Sequence, residues 1–210
     1  MALCGAVPLP DRLKHTHQSM NAAAMLSAVT KYTAVSPGRL GPAPASDMDK
    51  AAALIRSAAR PTLMVGLRGA DVDACESVRR LLAGTGLPIV ETFQAAGVVS
   101  RELEAHYVGR VGLFENQPGD VVVARAGVLI TIGYDPVEYD PRLWNADPAR
   151  TVVHIDSLPA QIDNHYQPAL ELRGDIAATI NALAGLNPAW LVLKLRKRLT
   201  AGWLPPSRTC

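Results

Sequence analysis

Four short, wholly apolar or nearly apolar runs constrain this chain most: Thr62–Val65, Leu87–Val90, Val128–Ile132 and Thr151–Ile155. Each is too short for a buried helix, and none alternates apolar with polar residues. A strand without alternation is buried on both faces, as in a parallel sheet covered by helices. Helical spacing separates the runs. Met48, Ala51, Ala52, Ile55 and Ala59 recur at helical intervals behind Ser46 and Asp49, which are spaced like a capping box. Asp71–Leu82 reads as a second helix ended by Gly84 and Gly86, Gly119–Ala126 as a third, and Asp175–Leu183 as a last. Ala169–Leu172 reads as an edge strand. Residues 92–118 are punctuated by glycine and show no sustained period. Residues 133–150 read as a loop, and Asp156–Tyr166 as a segment with room for one helical turn. This order predicts an α/β fold with an open, doubly wound parallel sheet. Ligands of such sheets bind beyond the carboxyl ends of the strands. Those ends are Gly66–Asp71, Glu91–Gln94, Gly133–Asp135 and Asp156–Ser157.

The stretch before the first helix is different. Ser36-Pro37-Gly38 and Gly41-Pro42-Ala43-Pro44 read as linker, because proline fixes φ and donates no hydrogen bond. Of the 210 residues 49% are hydrophobic and 19% charged, which excludes a wholly disordered chain. A net charge of +2 argues against nucleic acid as a partner. No run of apolar residues is long enough to span a membrane, and no secretory leader is expected. Cys4, Cys75 and Cys210 are too scattered for a disulfide framework or a zinc site, so a reducing cytoplasm is the expected location. Lys194, Arg196, Lys197, Arg198 and Arg208 make the end of the chain basic, leaving the body acidic on balance. A solvated or partner-facing tail is the simplest reading of that charge.

Candidate chemistry is sparse. Gly66-Leu67-Arg68-Gly69 follows a strand and precedes a helix, where backbone N–H groups can hold phosphate. Its spacing matches neither G-x-G-x-x-G nor the Walker pattern, and an ordinary turn explains it. Asp135, Glu138, Asp140 and Arg142 crowd the end of the strongest strand, as a ligand rim, a domain interface or a solvated loop. His15 and His17 lack the further ligands that zinc needs. His106 and His165 are dispersed, and His154, inside an apolar strand, reads as a core histidine. Cys75 has no evident basic partner, and Glu102 and Glu104 read as solvent-facing. The residues alone form no self-sufficient catalytic constellation.

Longer stretches carry a resemblance. Residues 91–103 (ETFQAAGVVSREL), 109–120 (GRVGLFENQPGD), 129–141 (LITIGYDPVEYDP) and 153–160 resemble the central domain of catabolic acetolactate synthase. The likeness covers residues 46–185. Residues 11–20 (DRLKHTHQSM) and 29–32 (VTKY) resemble part of the N-terminal, pyrimidine-binding domain of the same enzymes. The resemblance implies three parts: residues 1–45 as a remnant of that domain plus linker, 46–185 as a Rossmann-like central domain, and 186–210 as a divergent basic tail.

The resemblance also implies a chemistry. In this family thiamine diphosphate and Mg²⁺ act on two pyruvates, giving 2-acetolactate and CO₂, with the cofactor as electron sink. The active site lies between the pyrimidine domain of one subunit and the diphosphate domain of another, and the central domain is a scaffold. The start of the pyrimidine domain, with the glutamate that activates thiamine, has no counterpart in this sequence. The diphosphate domain, with its G-D-G…N metal motif, has none either. The chain alone is therefore expected to be non-catalytic and to bind no cofactor, with a second copy or intact synthase subunits as partners. Gln18 is the position that maps near substrate. Gly133-Tyr134-Asp135-Pro136 and Gly109–Phe114 depart from the loops of the FAD-binding relatives, so FAD is not expected. The alternative is a module that binds FAD or NAD in the crevice of the doubly wound sheet.

Overall fold

A computed structural model of the chain describes residues 40–114, 117–146 and 150–186. In chain order these form α1 (Ala45–Ser57), β1 (Pro61–Val65), α2 (Val72–Thr85), β2 (Ile89–Thr92), β3 (Tyr107–Val111), α3 (Pro118–Arg125), β4 (Val128–Ile132), α4 (Pro141–Trp144), β5 (Thr151–Asp156), β6 (Leu170–Arg173) and α5 (Ile176–Gly185). The six strands form one sheet in the order β3-β2-β1-β4-β5-β6. All five pairings are parallel. The order reverses between β1 and β4, which is the switch point of a doubly wound sheet. The predicted fold class is therefore observed.

The apolar runs build the core strands as anticipated, except that β2 is shifted from Leu87–Val90 to Ile89–Thr92. Leu63 and Val65 of β1 face one core with Ile130 and Ile132 of β4 and Val153 and Ile155 of β5. Met64, Leu129 and Val152 face the other. The first core is closed by Met48, Ala51 and Ile55 of α1, Val78 and Leu82 of α2, and Ile180 of α5. The second has little helix, with Val123 of α3 and Trp144 of the short α4, and aromatic side chains fill the space: Tyr134, Tyr139, Trp144 and Tyr166. Tyr134 lies 5.8 Å from Trp144 and 5.3 Å from Tyr166, ring centre to ring centre. Aromatic side chains bury large areas, so four of them replace what a longer helix would cover.

Some local expectations are corrected. Ser46 and Asp49 do not cap α1: the helix starts at Ala45, and the Pro44 carbonyl accepts from Asp47 and Met48. A strand, β3, lies within residues 92–118, and a short helix, α4, lies within the loop after β4. Asp156–Tyr166 contains no helical turn. Asp163 Oδ1 accepts from the backbone of His165 and Tyr166 and shapes that segment instead. Ala43, in the stretch read as linker, is buried, and its N–H donates to Thr179 Oγ1 of α5 at 3.0 Å. Among the described residues no helix is long and apolar enough to cross a membrane.

Candidate functional site

The carboxyl ends of β1, β2, β4 and β5 bring one set of polar side chains together. Arg68, just after β1, is its centre. Its Nε lies 3.0 Å from both oxygens of Asp156, and its Nη2 lies 2.8 Å from Oδ2. Nη1 donates to Asp135 at 3.0 Å, and Nη2 also donates to the Tyr134 carbonyl. Asp156 closes β5 and its side chain is fully buried, whereas that of Arg68 is 24% exposed. Burial opposes the charge on Arg68, but Asp156 and Asp135 outweigh it and hold the guanidinium pKa above its ordinary value.

Glu138 is the second centre. Both its oxygens accept from the Leu67 N–H at 3.0 Å. Asp135 N–H donates to Oε1 at 3.1 Å, and Thr92 Oγ1 to Oε2 at 2.5 Å. The loops after β1 and β4 touch here, and only glycine permits the contact. A Cβ on Gly133, which sits at φ 59°, would lie 2.0 Å from the Gly69 nitrogen. A Cβ on Gly66 would lie 2.7 Å from the Gly133 carbonyl and 2.8 Å from Glu138 Oε1. Beside this pair, Glu91 of β2 accepts from Gly97 and Val99. Burial pushes its pKa up against those two donors.

The candidate residues now have places. Gly66–Gly69 forms a closed turn. Leu67 N–H is held by Glu138, Arg68 N–H by the Gly133 carbonyl and Gly69 N–H by the Gly66 carbonyl, so a phosphate finds no spare donor there. Asp135 and Glu138 turn inward, while Asp140 and Arg142 pair with each other at the surface. His154 is buried, as read. Its Nδ1 lies 2.8 Å from Tyr166 OH and 3.2 Å from Thr131 Oγ1. Its Nε2 has no hydrogen-bond partner and stands 3.9 Å from Asp156. Burial pushes its pKa down, against Asp156 and Glu171, so the ring is neutral near pH 7. Glu102 and Glu104 face solvent. Cys75 contacts the Val98 carbonyl at 3.7 Å, and burial pushes its thiol pKa up, the opposite of an activated nucleophile. Gln18, His15, His17 and the basic tail lie outside the described residues.

Sequence reasoning missed the pairing of Arg68 with Asp156 and of Glu138 with Leu67. Their partners are 88 and 71 residues apart, and no local spacing announces such contacts. Chemically the cluster is a clamp. Magnesium diphosphate needs free oxygen ligands, yet Asp135, Asp156, Glu138 and Glu91 each accept from an arginine or a backbone N–H. The described rim carboxylates are therefore not arranged as ligands of a magnesium diphosphate. Among the described residues no three His, Cys, Asp or Glu side chains gather as metal ligands.

Comparison with known proteins agrees with the fold. The family model for the thiamine pyrophosphate enzyme central domain matches residues 48–183. Acetolactate synthase of Bacillus subtilis is 41% identical over 86% of this chain and 40% of its own length. The catabolic acetolactate synthase of Raoultella terrigena is 34% identical over 88% of this chain and 41% of its own length. The chain thus spans about two fifths of the length of these two relatives. An X-ray structure described as a thiamin diphosphate-dependent enzyme from Mycobacterium smegmatis superposes with TM-score 0.54 at 15% identity, covering 74% of this chain and 30% of that one. A doubly wound sheet with its switch point between β1 and β4, matched along its length by that family model, shows that this chain belongs to the thiamine pyrophosphate enzyme central-domain family.

Proposed function

We propose that this chain carries the scaffold domain of an acetolactate synthase-type protein and has no turnover by itself. The reaction of the complete enzyme class condenses two pyruvates to 2-acetolactate and CO₂ with thiamine diphosphate and Mg²⁺. The observation that carries the reading is the closed rim. Among the described residues Asp135, Asp156 and Glu138 at the switch point are each engaged by an internal donor, and the N–H groups of Leu67, Arg68 and Gly69 are taken up within the protein, which suits a structural role. That also favours the scaffold over a module for FAD or NAD.

A scaffold must meet other parts of its enzyme. Leu113 and Phe114 after β3, Val137 after β4 and Ile162 after β5 are large apolar side chains exposed at 58%, 67%, 88% and 66%. Exposed apolar side chains on loops suit contact with protein. We assign them to a second copy of the chain or to intact synthase subunits, in the cytoplasm. Within such an assembly Gln18 is the residue we place near substrate, in a pyrimidine-domain segment (residues 1–45) ahead of the central domain (46–185) and the basic tail (186–210).

Thermal melting with and without FAD or NAD separates scaffold from nucleotide module. A ligand at 100 times its Kd adds about 2.7 kcal/mol, or about 5–10 °C in Tm at this size. The scaffold reading predicts no shift with either nucleotide. A rise of that order with one of them would replace it with the binding module.

A further inference from the structure

The polar contacts of Glu138 have the form of a bound ligand. Its carboxylate is buried, and its donors come from three separate strand ends: Leu67 N–H after β1, Thr92 Oγ1 at the end of β2 and Asp135 N–H after β4. None of these donors depends on Glu138 for its place in the chain. The Leu67 backbone is positioned by Gly66 N–H on the Ile132 carbonyl and Arg68 N–H on the Gly133 carbonyl. Asp135 is held through its own carboxylate by Arg68 and by Val137 N–H. Thr92 belongs to the sheet and is fully buried. Convergent donors held by other contacts are a preorganised oxyanion site, and charge-assisted bonds to such a site are the strong kind.

We infer that the switch point of this sheet is an oxyanion cradle occupied by the protein's own Glu138, and that removing this side chain creates a binding site for a small carboxylate or phosphate. Glu138 is thus the residue that keeps external anions out of the crevice. Arg68 acts only indirectly, by holding Asp135, whose N–H is one of the cradle's donors. The inference concerns this crevice alone and does not depend on which reaction the complete enzyme performs.

The substitution Glu138→Ala removes one CH₂ and the carboxylate, the heavy-atom frame of acetate. The full-length variant is melted in sodium acetate, in sodium phosphate and in sodium chloride at matched ionic strength, beside the unsubstituted protein. The expected result is a Tm lowered by about 5–10 °C in chloride, and raised again by several degrees in 100 mM acetate. A rise in phosphate as well supports the cradle and shows that it takes the larger oxyanion. Glu138→Gln keeps the space filled and is expected to show no acetate response. Equal Tm of the Ala variant in all three salts overturns the inference, as does an equal acetate response in the unsubstituted protein.

Should the Ala variant not fold, amide hydrogen exchange on the unsubstituted chain decides. Leu67 N–H, outside any strand, is expected to exchange as slowly as Met64 and Val65 inside β1. Exchange at the rate of an open loop overturns the inference.

Discussion

Replacing Arg68 with alanine is the most informative single perturbation of the clamp. The substitution leaves the Asp156 carboxylate in a fully buried position, with Leu158 N–H at 3.1 Å and Ser157 Oγ at 3.4 Å as its remaining donors. It also removes the Arg68 bonds to the Tyr134 carbonyl and to Asp135, which keeps Val137 N–H as a donor. Breaking a buried pair by removing one partner costs about 3–5 kcal/mol. The Arg68 side chain is 24% exposed, so water reaches the vacated space and the lower end applies, about 3 kcal/mol. For a chain of this size that corresponds to a Tm drop of about 6–12 °C. With a urea m-value of about 2 kcal/mol/M, the midpoint moves by about 1.5 M. Urea unfolding followed by circular dichroism reads this directly. Arg68→Lys keeps the charge but loses the fork, and falls between the two. In an Asp156→Ala background the same Arg68 substitution costs much less, because the pair is already broken. A loss under about 1 kcal/mol for Arg68→Ala, or full additivity of the two substitutions, refutes the clamp.

Three further outcomes are expected. Gly133→Ala places a Cβ at 2.0 Å from the Gly69 nitrogen in a left-handed conformation, so it costs about 3 kcal/mol or more; a variant as stable as the parent contradicts the loop contact. His154 resists protonation in the folded state because it is buried, whereas an unfolded histidine titrates near about pH 6.5. Its contribution to stability is therefore complete above that pH and is lost as pH falls below it. Tm measured from pH 7.5 to 5 declines less steeply for His154→Gln, and identical slopes contradict the assignment. Burial holds the Cys75 thiol pKa high, so peptide mapping after iodoacetamide at pH 7.5 finds this residue labelled more slowly than free cysteine, and rapid labelling would refute that.

Legibility followed burial. β4 is buried at every position, and the run Val128–Ile132 gives its limits without error. β3 lies at the sheet edge, is half-exposed along most of its length, and carries Gly109 at φ 139°. Nothing in its sequence alternates or runs apolar, so pattern reading passes over it. α1 lacked the expected cap because the Pro44 carbonyl supplied the first helical turn, two residues before Ser46. The rim residues were legible as a group, since strand ends in a doubly wound sheet meet at one edge. Their partners were not. Whether Asp135 and Glu138 reach outward or inward depends on Arg68 and Leu67 across the switch point, and only the sheet order places these side by side.

Acetolactate formation from pyruvate by the purified chain, with thiamine diphosphate and Mg²⁺ present, tests the proposed role most directly. Circular dichroism on the same sample shows that it is folded. The scaffold reading predicts a folded protein without turnover. Sustained turnover in a sample shown free of host synthase would contradict it.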